Sequence, residues 1–185
     1  LFMMITGYLY IDVLERKKAD KQIKKFIMIA LGMAALYFLL DCVLHFVLKD
    51  IKEYLGLFLD IKNIRNFFLF NDPIAADHAW YMWAMIYTLI IVKVFPIIYK
   101  NKFFRSVLIV GGLLCSLVFG KYAIAVFGFE FLPTYTRNAW VVGIPYFLIG
   151  ISLRKHDDFL KSRNKVFVIG IVKMSIICCL MEREL

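Results

Sequence analysis

The chain has 185 residues, 62% of them hydrophobic and only 20% charged, with a formal net charge of +9. Soluble domains run at roughly 45–50% apolar and about 25% charged, so a mean hydropathy of +0.75 excludes an ordinary water-soluble fold. The positive charge does not indicate nucleic acid, because no basic stripe interleaved with stacking aromatics accompanies it. In an apolar chain such charge marks cytoplasmic loops.

Leu1–Ile11 is apolar, with a Thr6-Gly7 step and no charged n-region of a signal peptide. It reads as the second half of a helix. Together with the abrupt end at Glu182-Arg183-Glu184-Leu185, this makes residues 1–185 a single membrane domain, expected to be a fragment of a longer protein. Asp12–Lys25 is a basic connection carrying Arg16, Lys17, Lys18, Lys21, Lys24 and Lys25. Phe26–Leu48 is the first full span, since a helix rising about 1.5 Å per residue crosses a ~30 Å core in ~20 residues. In the connection Lys49–Asp77, Ile51, Tyr54, Leu55 and Phe58 recur at helical spacing beside Lys52 and Glu53. That pattern predicts one short helix lying at the interface, before Asp72-Pro73 breaks the chain.

Ala79–Tyr99 is the second span, with Lys93 and Pro96 near its far end, and Lys100–Arg105 is a basic turn. Ser106–Phe127 is the third, where Gly111-Gly112 predicts a close helix contact. Asn138–Leu153 is the fourth, with Pro145 expected to kink it. Arg154–Lys165 is basic again and Val166–Met181 is the fifth span. The predicted fold is an all-α, polytopic, multi-pass membrane bundle of about five full spans plus a partial one. The three basic connections hold 14 Lys and Arg, against 6 in the alternate segments. The positive-inside rule therefore places the former in the cytoplasm of a cell-membrane protein and His78 on the outer side.

Candidate chemistry lies with ionisable groups inside or beside the spans, where charge is costly. Asp41 and His45 are four residues apart and share a helix face. They read either as a proton-handling or acceptor-binding pair, or as a mutually satisfied pair near the helix end. Lys173 lies about 12 Å inside the last span and could line a tunnel holding an anionic group; Lys121 and Lys93 read as snorkelling. His78 precedes an aromatic-rich helix start, Trp80, Tyr81 and Trp83, of the kind found at membrane boundaries. Arg137 and Asn138 open the fourth span on the same side, Asn138 as an N-cap and Arg137 as an anion or carbonyl contact. His156 reads as solvated. Cys42, Cys115, Cys178 and Cys179 all sit in apolar runs, two of them adjacent, which fits packing rather than disulfides or a metal site. No phosphate-loop, zinc-protease, nucleophile-elbow or dinucleotide motif occurs.

Three local patterns together resemble the membrane-bound acyltransferase 3 family. Phe2-Met-Met-Ile-Thr-Gly-Tyr-Leu9 is similar to its FF-x-I-S-G-[YF]-L helix end. His78-Ala-Trp-Tyr-Met-Trp-Ala-Met-Ile-Tyr87 is similar to its H-L-W-[FY]-L-x-A-L helix start. Arg137-Asn-Ala-Trp-Val-Val-Gly-Ile-Pro-Tyr-Phe-Leu-Ile-Gly150 is similar to its R-N-x(4)-G-[LI]-P-[FY]-F-x-[LI]-G span. The resemblance covers most of Leu1 to about Lys155. It implies an integral-membrane O-acyltransferase that moves acetyl from cytoplasmic acetyl-CoA, or another acyl-CoA, to a hydroxyl of an envelope carbohydrate or related small acceptor.

It also implies a catalytic His, preceded by an Arg, in a helix upstream of Leu1, which leaves His78, Asp41 and His45 as the candidates within the chain. CoA phosphates are expected on Lys17, Lys18, Lys24 and Lys25, with Lys173 behind them, although the family's Arg-rich stretch ending in Pro is absent here. His78, Trp80, Tyr81, Arg137 and Asn138 are the expected acceptor wall. Met85 stands where one branch of the family carries Glu, which places the chain in the other branch. The competing expectations are a transporter or permease, such as the serine-importing half of a membrane racemase, and an inactive truncated homologue. No metal is expected, and the partners are the lipid bilayer and the acceptor.

Overall fold

The computed structural model describes residues 1–74 and 79–156, and every regular element among them is helical. In chain order these are α1 (Phe2–Glu15), α2 (Ala19–Leu48), α3 (Ile51–Leu59), α4 (Ile61–Phe70), α5 (Trp80–Val94), α6 (Ile97–Lys100), α7 (Lys102–Ser116), α8 (Ala123–Phe127), α9 (Pro133–Thr136) and α10 (Ile144–Lys155). Wider π-helical turns occupy Leu117–Lys121 and Ala139–Gly143. Two stretches, Ala19–Leu48 and Lys102–Gly120, are long and apolar enough to cross a membrane, and Trp80–Val94 is apolar but shorter. Val166–Met181, expected as a fifth span, lies outside the described residues.

Several boundaries differ from the sequence expectation for identifiable reasons. The basic connection Asp12–Lys25 is mostly helix: α1 runs to Glu15, α2 begins at Ala19, and only Arg16–Lys18 turns, with Lys17 at φ 53°. Lys, Gln and Ala are strong helix formers, and no Gly or Pro interrupts Ala19–Leu31. Positive charge does not make a loop. The connection after α2 holds two helices rather than one, because Asp60 ends α3 and caps α4 by accepting from the Lys62 N–H at 2.9 Å. Asn101 caps α7 in the same way, through the Phe103 and Phe104 N–H groups. At Pro145 the fourth segment widens rather than simply kinking. The π-helical turn ends at Gly143 and α10 resumes with the proline in its first turn, where its missing N–H costs nothing.

Packing is organised by α1 lying against α10. A Cβ on Gly7 would overlap the Phe147 carbonyl oxygen and lie 2.9 Å from its carbon. One on Gly150 would overlap the Met4 carbonyl oxygen and lie 2.8 Å from the Tyr8 nitrogen. Both glycines therefore let the two backbones touch. Gly112 meets the ring of Pro145 in a similar way, whereas Gly111 has nothing within 4 Å, so only half of the glycine pair is a contact. Around this crossing Tyr10, Met85, Leu89, Val92, Phe147, Leu148 and Ile151 form the buried core. Much of α2 and α7 instead exposes Leu, Val and Phe side chains, Phe46 at 72% and Phe103 at 75%.

The polar groups collect at two ends. At one, Arg154 donates to Asp12 at 2.8 Å, Arg105 and Lys155 both donate to the Tyr99 carbonyl at 2.8 Å, and Lys93 pairs with Asp20. The described parts of all three basic connections thus converge. At the opposite end the start of α5 meets the start of α1, Tyr81 lying edge-on to Phe2 at 5.9 Å.

Candidate functional site at the two polar ends

The basic end contains a cavity of about 490 Å³ lined by Val13, Lys18, Lys21, Gln22, Lys25, Phe26 and Ile29. Residues 18, 21, 22, 25 and 29 follow one face of a helix, so the three lysines line one wall because this stretch is helical. Of the four lysines expected to meet a phosphate, Lys18 and Lys25 line the cavity, while Lys17 and Lys24 do not. Lys21 and Gln22 were missed; their i, i+3, i+4, i+7 spacing was the signal. The Gln22 amide oxygen is buried there with no hydrogen-bond partner among the described residues. Buried polar groups are normally satisfied, so this one is available to a donor arriving in the cavity.

Toward the opposite end, Asp41 and His45 do share a face of α2 but do not bond to each other. Lys49, in the left-handed conformation at φ 64°, turns the chain sharply so that α3 packs back on α2. That reversal delivers two residues the sequence reading did not associate with the pair. Tyr54 donates its hydroxyl to Asp41 at 3.1 Å, and Asp50 meets His45 Nδ1 at 2.8 Å. The His45 and Tyr54 rings stack at 4.4 Å with an interplanar angle of 11°. Burial, and then the hydrogen bond to the Asp41 carboxylate, push the Tyr54 phenol up to about 12. The Asp50 contact at Nδ1 and the stacking on Tyr54 together hold the His45 ring in one orientation. Beside this cluster an apolar cavity of about 530 Å³ is lined by Ala34, Phe38, Phe58, Phe67 and Trp83 among others. The Trp83 indole N–H is buried without a partner among the described residues.

The remaining expected acceptor residues divide into structural and open positions. Asn138 is the cap its position called for: Oδ1 accepts from the Trp140 and Val141 N–H groups, and Nδ2 donates to the Thr134 and Tyr135 carbonyls. With only 1% of its surface exposed, its amide is fully occupied in holding the turn. The buried Asn71 plays a parallel part, accepting from the Ala139 N–H at 2.7 Å and donating to the Trp80 carbonyl at 3.1 Å. Asn71 thus joins α4, α5 and the turn before α10. Trp80 is half-buried, while Tyr81 and Arg137 are exposed. His78 and Lys173 lie outside the described residues. Met85 is fully buried in the core. His156 is exposed and contacts the Ser152 carbonyl. Among the described residues no group of three or more His, Cys, Asp or Glu is placed to hold a metal.

A family model for an acyltransferase domain, acyltransferase 3, matches residues 1–181. The chain belongs to the acyltransferase 3 family. No curated protein and no solved structure matches it. Within this acyltransferase domain the most family-like residues prove to be packing residues. Gly7 and Gly150 form the α1–α10 crossing, Pro145 seats on Gly112, and Gly143 stands against Thr88 of α5. These motif residues set how closely the backbones approach, while the Tyr54–Asp41 and Asp50–His45 contacts lie elsewhere, around the α2–α3 turn.

Proposed function

We propose that this chain acts as an integral-membrane O-acyltransferase, carrying acetyl from acetyl-CoA to a hydroxyl of a cell-envelope carbohydrate or related acceptor. The observation that carries the reading is the basic cavity. Lys18, Lys21 and Lys25 converge on a space with an unsatisfied amide, in a chain whose family transfers acyl groups. Phosphates of an acyl-CoA suit three ammonium groups, and the adenine amino group suits the Gln22 oxygen. The apolar exteriors of α2 and α7 support a bilayer around the bundle, with the basic end in the cytoplasm and several spans beyond the two that meet the length criterion. Lys173 remains a proposed neighbour of the donor.

In the transfer, the acceptor hydroxyl gives its proton to a base while its oxygen attacks the thioester carbonyl. CoA leaves as the thiolate, which is protonated to the thiol. Within the chain, His45, oriented by Asp50, and His78 are the proposed receivers of that proton. Asp41, occupied by Tyr54, orients rather than reacts. The acceptor enters past Trp80, Tyr81 and Arg137, and Asn138 fixes the turn that presents them.

The test is acetyl transfer in membranes holding the full-length protein. Lys18→Gln/Lys21→Gln/Lys25→Gln should raise the KM for acetyl-CoA by roughly 10–100-fold, as expected for lost charge-assisted contacts, with kcat at saturation little changed. An unaltered KM would rule out the cavity as the donor site. In the same assay His45→Gln should lower kcat by ~10²–10⁴-fold without moving that KM.

A further inference from the structure

Among the described residues, a second set of cations at the basic end has no acidic partner. Arg105 is only 5% exposed, and the one described bond of its guanidinium is to the Tyr99 carbonyl at 2.8 Å. Lys155 donates to the same carbonyl at the same distance. Two positive heads are therefore held within twice 2.8 Å of each other, with Lys100 and Lys102 flanking the Asn101 cap alongside. Among the described residues the nearby acids are committed or unpaired with this set: Asp12 takes Arg154, Asp20 takes Lys93, and Glu15 forms no ion pair. Partial burial, and then Arg105, Lys100 and Lys102, push the Lys155 ammonium below the ordinary lysine range.

Removing a guanidinium from water without an anion is costly, and one carbonyl cannot balance two cations. Basic pockets between helices at a membrane's cytoplasmic side suit phosphate groups. A planar guanidinium with ammonium groups beside it matches phosphate oxygens in number and charge. We propose that Arg105 and Lys155, with Lys100 and Lys102 at the mouth, form a binding site for a phosphate-bearing anion. The site is distinct from the Lys18–Lys25 cavity, being built from α6, α7 and the end of α10 rather than from α2. It does not depend on the acyl-transfer reading.

The phosphate can come from an anionic lipid headgroup or from a soluble nucleotide, and the experiment separates the two. The full-length protein is placed in phosphatidylcholine nanodiscs, with or without phosphatidylglycerol, or given 3′,5′-ADP. Thermal stabilisation and ligand retained in native mass spectrometry are then read. Stabilisation by phosphatidylglycerol alone assigns a headgroup; stabilisation by 3′,5′-ADP that survives Lys18→Gln/Lys21→Gln/Lys25→Gln assigns a nucleotide. Either supports the site if Arg105→Gln/Lys155→Gln weakens binding about tenfold or more. Because Arg105 is buried, the exposed pair Lys100→Gln/Lys102→Gln supplies a second variant, expected to weaken binding several-fold while folding normally. No stabilisation by either probe beyond phosphatidylcholine overturns the proposal. So does binding unchanged in both variants, or nucleotide binding lost only with the α2 lysines.

Discussion

Substituting Gly150 by Ala tests whether backbone contact between α1 and α10 holds the bundle together. The added Cβ would overlap the Met4 carbonyl oxygen and stand 2.8 Å from the Tyr8 nitrogen, both on the backbone of α1. No rotamer change can relieve a clash with backbone, so the helices must separate. That loosens Tyr10 and Phe147, whose rings meet edge-on at 5.3 Å, and with them Leu148 and Ile151. Overpacking of this kind costs about 1–3 kcal/mol, and more when rigid elements must move. Gly→Ala within a helix is otherwise favourable by up to about 1 kcal/mol. The expected net loss is therefore about 0–2 kcal/mol at the ordinary cost of overpacking and more where the rigid helices must move apart, read as a lowered unfolding midpoint in detergent. Gly32→Ala and Gly111→Ala, where nothing lies within 4 Å, should leave the midpoint unchanged or raise it. Gly7→Ala should resemble Gly150→Ala, and the double variant should cost less than the two together, since helices already forced apart admit the second methyl. Equal loss at Gly32 and Gly150, or strict additivity of Gly7 and Gly150, would refute the reasoning.

Two further outcomes follow from the opposite end. Asn71→Ala removes the acceptor for the buried Ala139 N–H and the donor to the Trp80 carbonyl, which should lower stability by about 1–3 kcal/mol. Asn71 also sits at φ 53°, so Asn71→Gly, free of αL strain, should recover about 1 kcal/mol in denaturant melts; equal losses would show that the turn is not strained. Tyr54 titrates near 12 in the fold against an ordinary 10. Its contribution is then complete below about pH 10 and disappears as pH rises through 12. The stability gap between wild type and Tyr54→Phe should close over that range, and a gap that stays constant would exclude the phenol–carboxylate bond as its source.

The helical class and the apolar runs were legible because hydrophobic length is written directly in sequence, and Asn138 announced its cap. The extent of the helices was less so. Lys21, Lys24 and Lys25 read as connection by charge, yet charge does not oppose helix, and the face that lines the basic cavity emerges only once α2 is extended back to Ala19. The partners of Asp41 and His45 were hidden for a different reason. They arrive through a left-handed lysine at position 49, a conformation without a reliable residue signature, and two residues facing one way on a helix need not bond to each other. The family patterns identified the domain well while saying little about its chemistry, since Gly7, Gly143, Pro145 and Gly150 record how closely helices approach.

The α1–α10 crossing also bears on how the chain is made. Gly7 finds its surface at Phe147, and Gly150 at Met4, so the first helix synthesised here completes its packing only with the last one described. Until α10 emerges, the Gly7 surface of α1 lacks its Phe147 contact, and the loop that must close runs from Gly7 to Phe147, an ordering that slows assembly. A nascent chain paused after α7 would leave the Gly7 surface of α1 open to other apolar or small-residue partners. Faults in this domain should therefore show first as trapped, partly assembled chains during biogenesis, before any loss is seen in the finished protein.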